Sequence, residues 1–141
     1  MTGSAVRDLV ILVVEDNPAD VMFFEEAVEA NQMPAKLHVV VDGGDAMCFL
    51  RRQGLHADAP RPDVVVLDLN VPIKNGQNVL KEMAADPGLR TIPVAILTTS
   101  TSETWVCKLY PPGKCAYFVK TDAFKKLQDI VRQIAAHASV A

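Results

Sequence analysis

Apolar residues fall into five short blocks along the chain, each closed by polar or turn-forming residues. Val10 to Val14 is followed by Glu15-Asp16-Asn17-Pro18, and Leu37 to Val41 by Asp42-Gly43-Gly44-Asp45. Asp63 to Leu67 runs straight into Asp68, Pro93 to Leu97 into a run of hydroxyls from Thr98 to Ser102, and Cys115 to Val119 into Lys120. Blocks this short, continuous and rich in β-branched residues predict strands buried on both faces, as in a parallel sheet.

Between the blocks, apolar residues recur at helical spacing. Val21, Phe24, Ala27 and Val28 make a stripe for a helix from Pro18 to about Ala30, with Asn17 as N-cap and Asp20 near the positive helix end. Ala46, Phe49 and Leu50 predict a helix over about 44–52, and Val79, Leu80 and Met83 one over about 77–85, stopped by Asp86-Pro87-Gly88. The hydroxyl run suits a cap for a short fourth helix that ends near Tyr110, before Pro111-Pro112-Gly113. Thr121-Asp122 caps a last helix to about His137, with Phe124, Leu127, Val131 and Ile134 inward. Gln53 to Pro62 is a polar loop longer than most connections.

Strict alternation of five strands and five helices predicts an α/β protein, a three-layer αβα stack with right-handed crossovers. The expected form is a doubly wound, flavodoxin-like parallel sheet in the order 2-1-3-4-5. At 141 residues the chain is expected to be one domain over 1–141, with a core over about 9–137 and no output domain after it. A net charge of -3 and the lack of a basic block argue against nucleic-acid binding. No apolar run reaches the length of a membrane span, and the N-terminus lacks a signal layout, so a cytoplasmic location is expected. Cys48, Cys107 and Cys115 are odd in number and lack metal-ligand spacing, which predicts reduced thiols in or near the core. His38, His56 and His137 have no ligand spacing either.

In such a fold, ligands bind outside the carboxyl ends of the strands. Glu15 and Asp16 end the first strand, Asp68 the third, Thr98 and Thr99 the fourth, and Lys120 the fifth. The first and third strands are neighbours in the expected order, so three carboxylates share one rim with a hydroxyl and an ammonium. Close carboxylates repel unless protons or a cation offset the charge. An all-oxygen set of this kind suits Mg²⁺, with Mn²⁺ as a substitute, and the backbone carbonyl of Asn70 is placed to join it. Lys120 can meet a phosphate as a point charge, and Thr98 can donate to one. Glycine-rich loops that cradle nucleotides are missing. The site looks built to put a phosphoryl group on Asp68 itself, since a carboxylate can serve as the nucleophile.

Taken singly, each of these residues is ordinary. Asp68 could cap a turn, Glu15 and Asp16 could be a solvated cap, and Lys120 could be a surface lysine. As a set at successive strand ends, the segments Val13-Val14-Glu15-Asp16-Asn17, Leu67-Asp68-Leu69-Asn70-Val71-Pro72 with Gly76, Leu97-Thr98-Thr99 and Tyr117-Phe118-Val119-Lys120 resemble the receiver domain of two-component response regulators. The resemblance runs from Val10 to about Ile134. Within that family the chain is most similar to single-domain regulators paired with phytochrome-type histidine kinases, through Glu15 to Asp20, the Arg51 to Pro62 loop, Asp68 to Pro72, Ile92 to Ser100 and Tyr117.

The resemblance implies that Asp68 accepts phosphate from a kinase phosphohistidine, and that Glu15, Asp16, Asp68 and the Asn70 carbonyl hold Mg²⁺. It implies that Lys120 and Thr98 bond the phosphoryl oxygens, and that Thr98 and Tyr117 act as switch residues. The readout face would be the fourth helix, fifth strand and fifth helix, through which a homodimer could form. The implied partner is a histidine kinase, a bacteriophytochrome in this subfamily, with transfer and loss of phosphate catalysed by the receiver itself. Pro18, Met22, Trp105 and Thr121 are candidate partner contacts. Two positions depart from the family: Glu15 stands where an Asp is usual, and Thr121 where a proline usually follows a cis bond. A cis Lys120–Thr121 bond would cost roughly 3–4 kcal/mol. A phosphate shuttle or sink is the alternative role. A dehalogenase-type hydrolase would need Asp where Asn70 stands, and a nucleotide or flavin carrier would need a phosphate loop where Glu15 and Asp16 stand.

Overall fold

The computed structural model describes residues 7–139, so the two ends of the expected 1–141 unit lie outside the described residues. The strands are β1 (Leu9–Val14), β2 (Ala35–Val40), β3 (Val64–Leu67), β4 (Val94–Thr98) and β5 (Cys115–Val119). They form one parallel sheet in the order β2-β1-β3-β4-β5. In this order β1 and β3 lie side by side, with Val14 in register with Leu67, so the residues that follow them, Glu15 and Asp68, emerge together.

The helices are α1 (Pro18–Ala30), α2 (Gly43–Arg51), α3 (Gly76–Ala85) and α4 (Phe124–Ser139). Alternate residues of the central strands serve opposite faces, as strand pleating requires. Ile11, Val13, Val64, Val66 and Leu97 pack with Phe24, Ala27 and Val28 of α1 and Leu127, Val131 and Ile134 of α4. Leu12, Val14, Val65, Leu67 and Ile96 pack with α2 and α3 and with Val106 and Tyr110. The helix starts obey the expected chemistry. The Asn17 carboxamide accepts from the Ala19 N–H, Asp42 from Asp45 and Asn75 from Asn78, each satisfying a donor the helix leaves free.

The fourth helical segment, Thr104–Leu109, is a 3₁₀ helix rather than an α-helix. Its first turn has no side-chain cap, so the hydroxyl run does not cap it. Ser100 and Ser102 bond each other in the preceding loop instead. The segment is short, is fixed by buried Val106, and ends at Tyr110, whose hydroxyl donates to the carbonyls of Leu89 (3.0 Å) and Ile92 (2.7 Å). The tighter winding is found mostly in short connecting segments, and this one has six residues. A second 3₁₀ turn, Gly54–His56, lies in the long loop before β3.

The cysteines also differ from expectation. Cys107 of the 3₁₀ helix and Cys115 at the start of β5 form a disulfide, with Cα atoms 5.3 Å apart, and Cys48 is free. An eight-residue separation bridging a Pro-Pro-Gly turn is invisible to a search for paired cysteine motifs. It depends on the turn folding the two elements together.

Candidate functional site at the carboxyl rim of the sheet

Asp68 follows the last residue of β3 and is 6% exposed. Its backbone N–H donates to the Val14 carbonyl, continuing the pairing of β1 with β3. One carboxylate oxygen accepts from the Asn70 N–H at 3.1 Å, which turns the loop back over the strand end. Gly76 lies directly beneath. A Cβ at Gly76 would stand 2.3 Å from the Asp68 carbonyl oxygen, so only glycine permits α3 to start this close to the phosphoacceptor candidate.

Glu15 follows β1 and is 6% exposed. Its side chain accepts from the Asn17 N–H at 3.1 Å. Asp16 beside it is exposed. Carboxylate oxygens of Glu15, Asp16 and Asp68 lie within 4.8 Å of one another. Burial pushes the Glu15 carboxyl above the usual glutamate range, and the Asp68 charge adds to this, against the hydrogen bonds from Lys120 and Asn17. A carboxylate held at such a charge cost is a site that gains from a cation.

Lys120 follows β5, and its backbone N–H donates to the Thr98 carbonyl at 2.7 Å. Its ammonium reaches across the rim to Glu15 (2.7 Å), Asp20 (2.8 Å) and Asp68 (3.0 Å), one carboxylate for each of its three donors. Burial would lower the Lys120 pKa. The hydrogen bonds it donates to Asp20, Glu15 and Asp68 outweigh that and raise it above the ordinary lysine value, so the ammonium stays charged. A small cavity opens here, lined by Glu15, Asp20, Phe23, Asp68, Lys120 and Thr121 among others.

Thr98 is fully buried, and its hydroxyl accepts the Ser100 N–H at 3.5 Å, on the loop side of the site. Tyr117 is half-buried, and its hydroxyl donates to the Ser100 carbonyl at 2.6 Å. Both expected switch residues thus bond the backbone of Ser100, Thr98 at its N–H and Tyr117 at its carbonyl. Among the described residues no peptide bond is cis, so Lys120–Thr121 is trans, and the Thr121 hydroxyl accepts from the Ala123 N–H at 3.1 Å ahead of α4. Pro18, Met22 and Trp105 are exposed, Met22 at 61% and Trp105 at 45%.

Asp20 and Ser100 are the site residues that sequence reasoning passed over. Asp20 was legible only as a helix-start acid, yet from the first turn of α1 its carboxylate reaches the Lys120 ammonium on the rim. Ser100 contributes through its backbone, which no residue identity announces.

A family model described as the response regulator receiver domain matches residues 11–132. The chain belongs to the response regulator receiver family. Its place is in two-component signalling, as a phosphoacceptor, and the five-stranded sheet is that of a receiver. Among its relatives, response regulator Rcp1 of Synechocystis sp. is 40% identical over 125 residues, covering 86% of this chain and 85% of that protein. The phosphorylated cyanobacterial phytochrome response regulator RcpA superposes with a TM-score of 0.79 at 39% identity, over 90% of this chain and 91% of that one. The Mn²⁺-bound form of Rcp1 superposes with a TM-score of 0.79 at 37% identity, over 91% and 92% of the two chains. Among the described residues no helix is long and apolar enough to cross a membrane.

Proposed function

We propose that Asp68 is the phosphoacceptor and that the receiver catalyses both gain and loss of its own phosphoryl group. The observation that carries this is the convergence of Lys120, from the far side of the sheet, on Asp68 beside a cluster of three carboxylates. The donor set is all oxygen and carries an excess of negative charge, which fits a hard divalent cation. Glu15, Asp16, Asp68 and the Asn70 backbone carbonyl would hold Mg²⁺, or Mn²⁺ in its place. When bound, the ion supplies positive charge opposite the oxygens of the transferring phosphoryl group.

The remaining chemistry belongs to the side chains. An Asp68 carboxylate oxygen attacks the phosphorus of a kinase phosphohistidine, the P–N bond breaks, and its electron pair leaves with the imidazole. Lys120 exchanges a carboxylate oxygen for a phosphoryl oxygen, matching the charge that develops there. Thr98 turns its hydroxyl from the Ser100 N–H to donate to the phosphoryl group, and Tyr117 follows because it holds the carbonyl of the same residue. This rearranges the face made by the 3₁₀ helix, β5 and α4.

The kinase is a histidine kinase. The likeness to RcpA, a phytochrome response regulator, supports a phytochrome-type partner, with Pro18, Met22, Trp105 and Thr121 on the contact surfaces. Output runs through protein contacts, including a second copy docked on the 3₁₀ helix, β5 and α4 face, in the cytoplasm and without nucleic acid. Incubation with acetyl phosphate and Mg²⁺, followed by intact mass, tests the proposal. One added phosphoryl group that requires Mg²⁺ and vanishes in Asp68→Asn is expected. An adduct indifferent to that substitution overturns the assignment.

A further inference from the structure

We infer that Asp20 is a positioning residue for phosphoryl transfer, the anchor that holds Lys120 while the other two of its partners are in use. This rests on the phosphoacceptor reading above. Three carboxylates share the Lys120 ammonium, and they are not equivalent. Asp68 is the reacting group, and Glu15 and Asp68 both belong to the cluster suited to a cation. Once a phosphoryl group is on Asp68 and a cation is on the cluster, those two oxygens are committed elsewhere. Asp20 lies outside the cluster, on the first turn of α1, and its bond to Lys120 at 2.8 Å is no longer than the bond to Asp68.

The placement of Asp20 is itself fixed. Pro18 starts α1, and the Asn17 side chain accepts from the Ala19 and Asp20 N–H groups, which sets the direction of the first turn. Lys120 sits at the end of β5, and its four-carbon stem has many rotamers to lose. A carboxylate on a neighbouring rigid element removes most of that freedom before the phosphoryl group arrives. A side chain pre-positioned in this way contributes to rate rather than to metal affinity. The bond also ties the start of α1 to the end of β5, 100 residues apart in sequence.

Two measurements on Asp20→Ala test this. With acetyl phosphate as donor, the maximal rate of Asp68 phosphorylation falls about tenfold while the Mg²⁺ concentration for half-saturation stays within about twofold. In the complex with Mg²⁺ and beryllofluoride, the ¹⁵N-labelled Lys120 ammonium gives a slowly exchanging NMR signal in the unmodified protein, and that signal is lost in the variant. An unchanged rate, a loss that appears only in Mg²⁺ affinity, or a Lys120 signal that persists in the variant overturns the inference. If the unmodified protein takes no phosphoryl group on Asp68, the phosphoacceptor reading fails instead, and the two failures are told apart by that control.

Discussion

At the residue scale, the rim is a balance of charge. Glu15, Asp20 and Asp68 share one ammonium, and Asp16 adds a fourth carboxylate at the surface. A cation that binds the folded rim and not the unfolded chain stabilises the fold by mass action, by about 2.7 kcal/mol at a hundredfold excess over its dissociation constant. Mg²⁺ is therefore expected to raise the melting temperature of this protein, and Asp16→Asn to remove most of the increase while leaving the metal-free midpoint nearly unchanged. Differential scanning calorimetry with and without Mg²⁺ checks this. Tyr110 shows the opposite use of a polar side chain. It is buried, donates to two carbonyls, and desolvation raises its pKa above the ordinary phenol value, with Arg61 acting weakly the other way. The unfolded phenol ionises near pH 10, roughly its reference value. Above that the unfolded state loses its proton first, so stability is full below about pH 10 and falls as pH rises further. Tyr110→Phe should cost about 1–2 kcal/mol at neutral pH, because two carbonyls lose a buried donor, and should flatten the alkaline decline. Urea unfolding at pH 7 and above pH 10 measures both.

At the scale of elements, strands and long helices were legible because their periods are distinct and their residues few in kind. β1 and β3 are apolar throughout, α4 carries a clean stripe and α1 a buried one of Phe24, Ala27 and Val28, and the switch of period marks each boundary. The fourth helical segment was not legible as 3₁₀, since its winding is set by tertiary anchors: buried Val106, Tyr110 at its end and the Cys107–Cys115 bond. That bond should be read in solution as well. Alkylation without reductant should modify Cys48 alone. Reduction should lower stability by roughly 2–3 kcal/mol, the chain-entropy value for a loop of this length. If denaturant midpoints with and without reductant coincide, the bond contributes nothing to the folded state. The link also joins the 3₁₀ helix to β5, two of the three elements of the expected readout face.

At the scale of the whole molecule, the site exists only because the strand order is 2-1-3-4-5. Residues 15, 68, 98 and 120 are far apart in sequence, and parallel strands deliver all four to one rim. Their assignment to a rim could be made from the sequence, because each follows an apolar strand. The finer wiring could not. Asp20 sharing Lys120, and Ser100 joining Thr98 to Tyr117, depend on side-chain reach and loop path that no spacing rule encodes. The trans Lys120–Thr121 bond likewise follows from a threonine that forms a local turn into α4 where the family usually has proline.

The central claim is that the phosphoryl group resides on Asp68. Borohydride reduction of the phosphorylated protein converts an aspartyl phosphate to homoserine, and peptide mass spectrometry then locates it. Homoserine is expected at position 68 alone, dependent on Mg²⁺ during phosphorylation. Homoserine at another carboxylate, or a phosphorylated protein with an unmodified Asp68 after reduction, would contradict it.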